Sequence, residues 1–269
     1  ISAAQYQAAA KVSKATAINV FLINIVHYLS RGGAGSVRSF HSGCRPDLER
    51  MVVFQACRCQ GAPMGNHKIG IRRVNVEKIL LAAEKVFAEK GYGSTAMADI
   101  AEQAQLPRSN LHYYFSTKTK LYSAVLFDLL EVWKQDALCF EMFDDPRVVL
   151  SSYIRAKMNH SRSRPYGSKV WANEIIHGAP TLGEALDASL YDWAKMKEAK
   201  IRQWVEDKRI LAVEPSSLLY MIWASTQHYA DFDHQVMILN DHQALSDMQF
   251  ERAVQTVTSV ILRGIGLEP

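Results

Sequence analysis

Arg108, Ser109 and Asn110 stand side by side directly after the break Gln105-Leu106-Pro107. A guanidinium, a hydroxyl and a carboxamide in that order supply the donors and acceptors that read base edges in a DNA major groove. Tyr113 and Tyr114 follow with hydroxyls able to reach phosphates, and Lys118 adds an ammonium suited to the same backbone. A second group lies far downstream. Trp223, Gln227 and Asp231 recur at four-residue steps, which sets them on one face of a helix. A tryptophan face beside an amide stacks a flat ring and pairs its polar edge. Trp133 is placed to close such a pocket.

His228, Asp231, Asp233 and His234 overlap that group as H-x-x-D-x-D-H, residue types that ligate a divalent metal. His228 and Asp231 share a helix side, but His234 falls past the expected helix end. No Glu-x-x-His pairing supports a di-iron site, and the chain holds no nucleophile elbow, P-loop or dinucleotide glycine motif. A helical metal-dependent enzyme is therefore the alternative to a DNA-binding protein that needs neither catalytic centre nor cofactor. Cys57 and Cys59 form a lone C-x-C with no second ligand pair nearby, and with Cys44 and Cys139 they build no disulfide framework. A reducing, cytoplasmic setting is expected.

The elements that must position these groups are helices. At 269 residues and 48 % hydrophobic, the chain can bury a core in one or two domains. Its formal charge of +4 does not point to DNA, because residues 1–63 hold seven basic and two acidic residues, leaving 24 basic and 25 acidic in the remainder. That opening stretch lacks useful periodicity, and its apolar run from Ile18 to Leu29 is too short for a membrane span. Residues 1–63 are expected to be a disordered or non-native leader, with Met64 as the native start. A DNA-binding domain over 64–119 and a ligand-binding and dimerisation domain over 120–269 are expected to follow.

From Asn75 onward no alternating strand pattern occurs, so an all-α fold is expected. Ile79, Leu80, Ala83, Val86 and Phe87 give a first helix from Val76 to Lys90, stopped by Gly91. Thr95 stands as N-cap of a second, Ala96 to Ala104. Pro107 suits the first turn of a third, Arg108 to Tyr114, which turns Leu111 and Phe115 inward. Two short helices joined by a tight turn, the second polar at its start, make a helix-turn-helix. A fourth helix opens at Ser116-Thr117-Lys118, where free N–H groups and the Lys118 ammonium suit a phosphate, and runs to about Phe140.

The run from Val76 to Leu126 resembles the N-terminal domain of the TetR family of transcription regulators. The resemblance rests on Ala82-Ala83, Phe87-Ala88-Glu89-Lys90-Gly91-Tyr92, Ser94-Thr95, Asp99-Ile100-Ala101, Asn110-Leu111-His112-Tyr113-Tyr114-Phe115, Lys118 and Leu121. It implies an N-terminal three-helix DNA-binding domain with Thr95, Arg108, Ser109, Asn110, His112, Tyr113, Tyr114 and Lys118 at the operator. Gln105 departs from the family's turn glycine and Pro107 from its capping serine, so the operator sequence does not carry over.

Further helices are expected over Val148–Ser163, Lys169–His177, Thr181–Asp207, Ser216–Phe232 and Asp247–Leu262. The last two bear apolar residues on more than one side, which calls for a second partner. A homodimer joined through them as a four-helix bundle supplies it, and two reading heads would select a near-palindromic operator. The segment from Met221 to Phe232, with Trp133, Ala156-Lys157 and Gly178-Ala179-Pro180, resembles the pyrimidine-utilisation branch of the same family. That resemblance implies a planar nitrogen heterocycle such as uracil or thymine as effector, held by Trp133, Trp223 and Gln227. The expected function is a ligand-responsive repressor with operator DNA as partner and no membrane association.

Overall fold

A computed structural model describes residues 66–269, with side chains placed for 72–183 and 189–269. The chain divides into two compact units, 1–77 and 78–269. The leader expected over 1–63 and the Cys57/Cys59 pair lie outside the described residues.

Every regular element among the described residues is a helix, as the sequence predicts. Helix α1 spans Asn66–Ser94, α2 Met97–Gln103, α3 Arg108–Tyr114 and α4 Lys118–Asp136. They are followed by α5 Cys139–Met142, α6 Pro146–Ser163, α7 Pro165–Ile176, α8 Gly183–Glu206, α9 Pro215–Asp231, α10 Asp233–Leu239 and α11 Asp247–Gly264. Gly91 interrupts α1 with φ 74° and ψ 161°, a conformation open to glycine, so the regular helix stops where the sequence places its C-cap. Ile79, Leu80, Ala83, Val86 and Phe87 are all buried on the inward side of α1.

Helix α6 is the central post of the C-terminal half. Helices α4, α5, α7, α9 and α11 all pack against it, and α9 also packs against α7, α8 and α11. Val149, Leu150, Tyr153, Ile154 and Met158 make α6 wholly buried along one side. They share a core with Trp204 of α8, Leu218 and Ile222 of α9, and Val254 and Leu262 of α11. Several boundaries differ from expectation: α1 begins at Asn66, ten residues before the expected Val76, and α7 at Pro165, four before Lys169. The fourth helix ends at Asp136, and Cys139–Met142 forms a separate short turn of helix. Helix α10, in a stretch read as a break, follows α9 directly with Phe232 between them.

Tyr220, Met221, Phe232, Met248 and Val260 of the α9–α11 stretch are exposed, each by more than half. The described residues contain no helix long and apolar enough to cross a membrane.

Candidate DNA-reading unit and effector pocket

The turn between α2 and α3 is closed by backbone bonds. Gln105 N donates to the Glu102 carbonyl at 2.9 Å and Leu106 N to the Ala101 carbonyl at 3.0 Å. This reciprocal pair is a Schellman motif, which needs a left-handed residue just past the cap. Gln105 supplies it at φ 52°, so the glutamine takes the glycine's conformation at some steric cost. Pro107 is the N-cap of α3, in the place of the family's capping serine, and its carbonyl accepts from Asn110 N and Leu111 N.

Helix α3 then sorts its side chains cleanly. Leu111 and Phe115 are buried, while Arg108, Ser109, Asn110, His112 and Tyr113 are exposed and Tyr114 is half-buried. Tyr113 and Tyr114 meet edge to face at 5.2 Å. The polar tip proposed to read bases is therefore free to do so.

Two residues expected at DNA do other work. Thr95 is buried, and its hydroxyl donates to the Gly91 carbonyl at 2.7 Å. It does not cap α2. Ala96 is the N-cap, and Asp99 reaches back to accept from Ala96 N at 3.0 Å. Lys90, 3.1 Å away, and that backbone bond hold the Asp99 carboxyl below its ordinary range. Lys118 donates to the carbonyls of Tyr92 at 2.7 Å, Thr95 at 2.9 Å and Gly93 at 3.2 Å. An ammonium has three protons, and these acceptors engage all of them. Lys118 thus braces the α1–α2 corner against α4 in this structure. At the start of α4, the Lys120 N–H is likewise taken, by the capping hydroxyl of Thr117.

Below this corner, Tyr92, Phe87 and Tyr122 form an aromatic cluster with ring centroids 4.8 to 6.1 Å apart. Burial, then the nearby Glu174 carboxylate, push the Tyr122 phenol above its usual range. Glu174 is itself buried and accepts from Thr181 N at 2.6 Å, which ties the end of α7 to the following loop.

A pocket opens between α4, α6, α7 and α9. It is a narrow cleft, roomy enough in this conformation for little more than a water, and is lined by residues that include Trp133, Lys157, Arg164, Ser168 and Gln227. Trp133 and Gln227 are therefore together, as their sequence positions suggest. Trp223 is not with them. Its indole N–H donates to the Tyr153 hydroxyl at 2.8 Å, and its ring stacks on Trp193 at 6.0 Å. Four-residue steps advance about 40° around a helix, enough to carry Trp223 off the pocket side. Trp223, partly buried, packs against the hydrophobic core, and Asp231 approaches the pocket by accepting from Ser168 Oγ at 2.5 Å.

Residues that sequence reasoning passed over give the pocket its polarity. Lys157 is buried, and its ammonium stands 4.1 Å from the centroid of the Trp133 ring. Among the described residues it makes no hydrogen bond or close ion pair. Burial lowers its pKa to about 8, although Asp136 and Asp231 pull the other way. His160 Nε2 lies 2.8 Å from Asp136 Oδ2, too poorly aligned for a hydrogen bond, and His160 Nδ1 is buried without a partner. Ser161 donates to the Thr226 carbonyl at 2.5 Å. The pocket wall is thus one aromatic face, one unpaired cation and an amide. Such a lining offers a hydrogen-bond donor to a carbonyl and an aromatic face to a ring.

The metal cluster read from the sequence is not assembled. Asp233 is held by Lys169 at 2.7 Å, Asp231 by Ser168, and His228 stacks on Phe232 at 5.0 Å. No group of three or more metal-ligating side chains comes together among the described residues.

Comparison with known proteins meets this geometry from both ends of the chain. Residues 79–125 match the model of bacterial regulatory proteins of the tetR family, and residues 126–268 match that of the YcdC-like protein C-terminal region. The HTH-type transcriptional regulator RutR of Escherichia coli strain K12 is 36% identical over 196 residues, covering 72% of this chain and 92% of that one. The chain belongs to the TetR family. Its function is accordingly that of a ligand-responsive, DNA-binding transcription regulator with a helix-turn-helix, and it is not an enzyme.

Solved structures agree on the fold of this TetR-family chain. The ketosteroid transcriptional regulator KstR2 of Mycobacterium tuberculosis superposes with a TM-score of 0.59 at 16% identity, over 71% of this chain and 94% of that one. AibR, in complex with isovaleryl coenzyme A and operator DNA, gives 0.54 at 17% identity, over 69% and 97%.

Proposed function

We propose that this TetR-family regulator is a homodimeric repressor released from its operator by a planar nitrogen heterocycle of the uracil or thymine type. One observation carries the effector class: an unpaired lysine ammonium lies over the Trp133 ring in a pocket that Gln227 also lines. A flat ring slides against the indole, its carbonyl oxygen accepts from Lys157, and its N–H and second carbonyl pair with the Gln227 amide. Lys157 joins Trp133 and Gln227 in this assignment, and Trp223 leaves it.

Arg108, Ser109, Asn110, His112 and Tyr113 of α3 make the operator contacts, with Tyr114 reaching the backbone at the edge. Helices α9 and α11 form the dimer, covering Tyr220, Met221, Phe232 and Val260 with their mates. The two α3 helices then face successive turns of a near-palindrome. A chromosomal operator places this work in the cytoplasm.

The test is an electrophoretic shift against DNA flanking the chain's own gene, with and without uracil and thymine, beside a thermal shift with the same compounds. Release of the DNA and stabilisation of the protein are expected together. A folded dimer that binds DNA, yet is neither stabilised nor released by either compound, would discard the effector class.

A further inference from the structure

Arg164 occupies the single residue between α6 and α7, with φ −135° and ψ 55°, and its guanidinium faces two ways. It lines the pocket, where its Nε is buried without a partner. Its Nη2 bonds the Glu84 carboxylate of α1 and, at 2.8 Å, Asp128 Oδ2 of α4. Glu84 is 3% exposed, and burial raises its pKa although Arg164 opposes the shift. α7 presses onto this carboxylate: a Cβ placed on Gly167 would stand 3.1 Å from Glu84 Oε2 and 2.4 Å from Leu129 Cδ2. Glu84 therefore has no water to turn to when its counter-ion moves.

We propose that Arg164 is the positioning residue that couples the pocket to the DNA-reading unit, holding Glu84 of α1 to Asp128 of α4 when the pocket is empty and turning toward the carbonyl of a ligand when it is filled. A buried carboxylate stripped of its cation is strongly disfavoured. Ligand binding and the α1–α4 link thus compete for one guanidinium, and that competition is the differential affinity which allostery requires. Helix α1 leads through the Gly91 corner and the Lys118 brace to α2 and α3, so loosening it shifts the reading helix. The ligand half of this inference rests on the effector reading above, whereas the link itself does not.

The test uses the full-length dimer, uracil as probe, and a DNA duplex selected by the protein from random sequence. Glu84→Gln keeps the side chain's shape and Arg164→Lys keeps a cation that cannot span both carboxylates, with Lys200→Gln as a control at the exposed pair with Asp144. Without ligand, each of the two variants should weaken duplex binding by about tenfold, the size of an ordinary allosteric coupling, and their combination should do no more. The control should not change it. With uracil saturating, the wild-type protein should lose duplex affinity, while Glu84→Gln, relieved of the competing link, should bind uracil about tenfold more tightly and show no further loss of duplex affinity. Duplex affinity within twofold of wild type in both folded variants would overturn the link. Loss that multiplies in the double variant, or an unchanged response to uracil in Glu84→Gln, would overturn the coupling. Failure of uracil to bind the wild-type protein refutes the effector instead, and the ligand-free affinities still decide whether Arg164 positions the reading unit.

Discussion

Lys118 Nζ donates to the Tyr92 carbonyl at 2.7 Å and lies 4.6 Å from the centroid of the Tyr92 ring. One residue thus closes the corner between α1 and α2 with a charge-assisted bond and a cation–π contact. Hydrogen bonds to a charged group contribute about 1.5–3 kcal/mol each. Lys118→Ala should therefore lower stability by about 2–3 kcal/mol in chemical denaturation. It should weaken all DNA by loosening the corner, leaving the order of preferred sequences unchanged.

Arg108 and Asn110 are exposed on α3, and among the described residues their side chains make no hydrogen bond or ion pair that would compete with a base. Alanine at either position should relax sequence choice at one base pair, by about 1–3 kcal/mol of lost discrimination. Binding measured against a panel of single-base operator variants gives the direct reading. Discrimination intact at every position would remove these residues from the base contacts.

Lys157 gives stability a pH dependence of known sign. Its folded pKa of about 8 lies below the ordinary 10.5, so the unfolded chain holds the extra proton between those values. Stability contributed here rises with pH across that window, and the burial cost is fully present below it. Lys157→Met should raise stability at pH 7 by up to about 3 kcal/mol and remove the rise between pH 8 and 10.5. Thermal melts of both proteins across that range check this. The same variant should lose affinity for uracil.

Gln105 holds φ 52° in the Schellman turn without the freedom of a glycine. Gln105→Gly should stabilise the protein by about 0.5–1 kcal/mol, the strain relieved less the entropy added to the unfolded chain. Urea midpoints of the two proteins make the comparison.

Much of this was readable from residues alone, and the failures have definite causes. Periodicity located α1, and Gly91 marked its stop, because a positive φ is a local demand that glycine meets. Gln105 was legible as the odd residue in the turn for the same reason. Thr95 misled because a threonine before a helix usually caps it, yet here Asp99 reaches back first and the hydroxyl finds the Gly91 carbonyl. Lys118 misled because its three acceptors are backbone carbonyls of residues 23 to 26 positions earlier, which no spacing rule brings to it. Trp133 and Gln227 were picked out as pocket residues by type, spacing and resemblance, whereas Lys157 entered only as part of the resemblance and Arg164 not at all. Their role arises where helices cross, and Lys157, standing among Arg155, Asn159 and His160, gives no sign in the sequence that it is buried.

Leu129, Val132 and Gln227 line the pocket from α4 and α9, while Arg164 alone among the lining residues also grips α1. In the coupling proposed above, recognition is shared among several side chains, whereas transmission runs through Arg164. If the proposed coupling holds, changing Leu129, Val132 or Gln227 while keeping Arg164 and Glu84 should re-cut the receptor and leave the wire intact, the starting point for a biosensor of another small molecule.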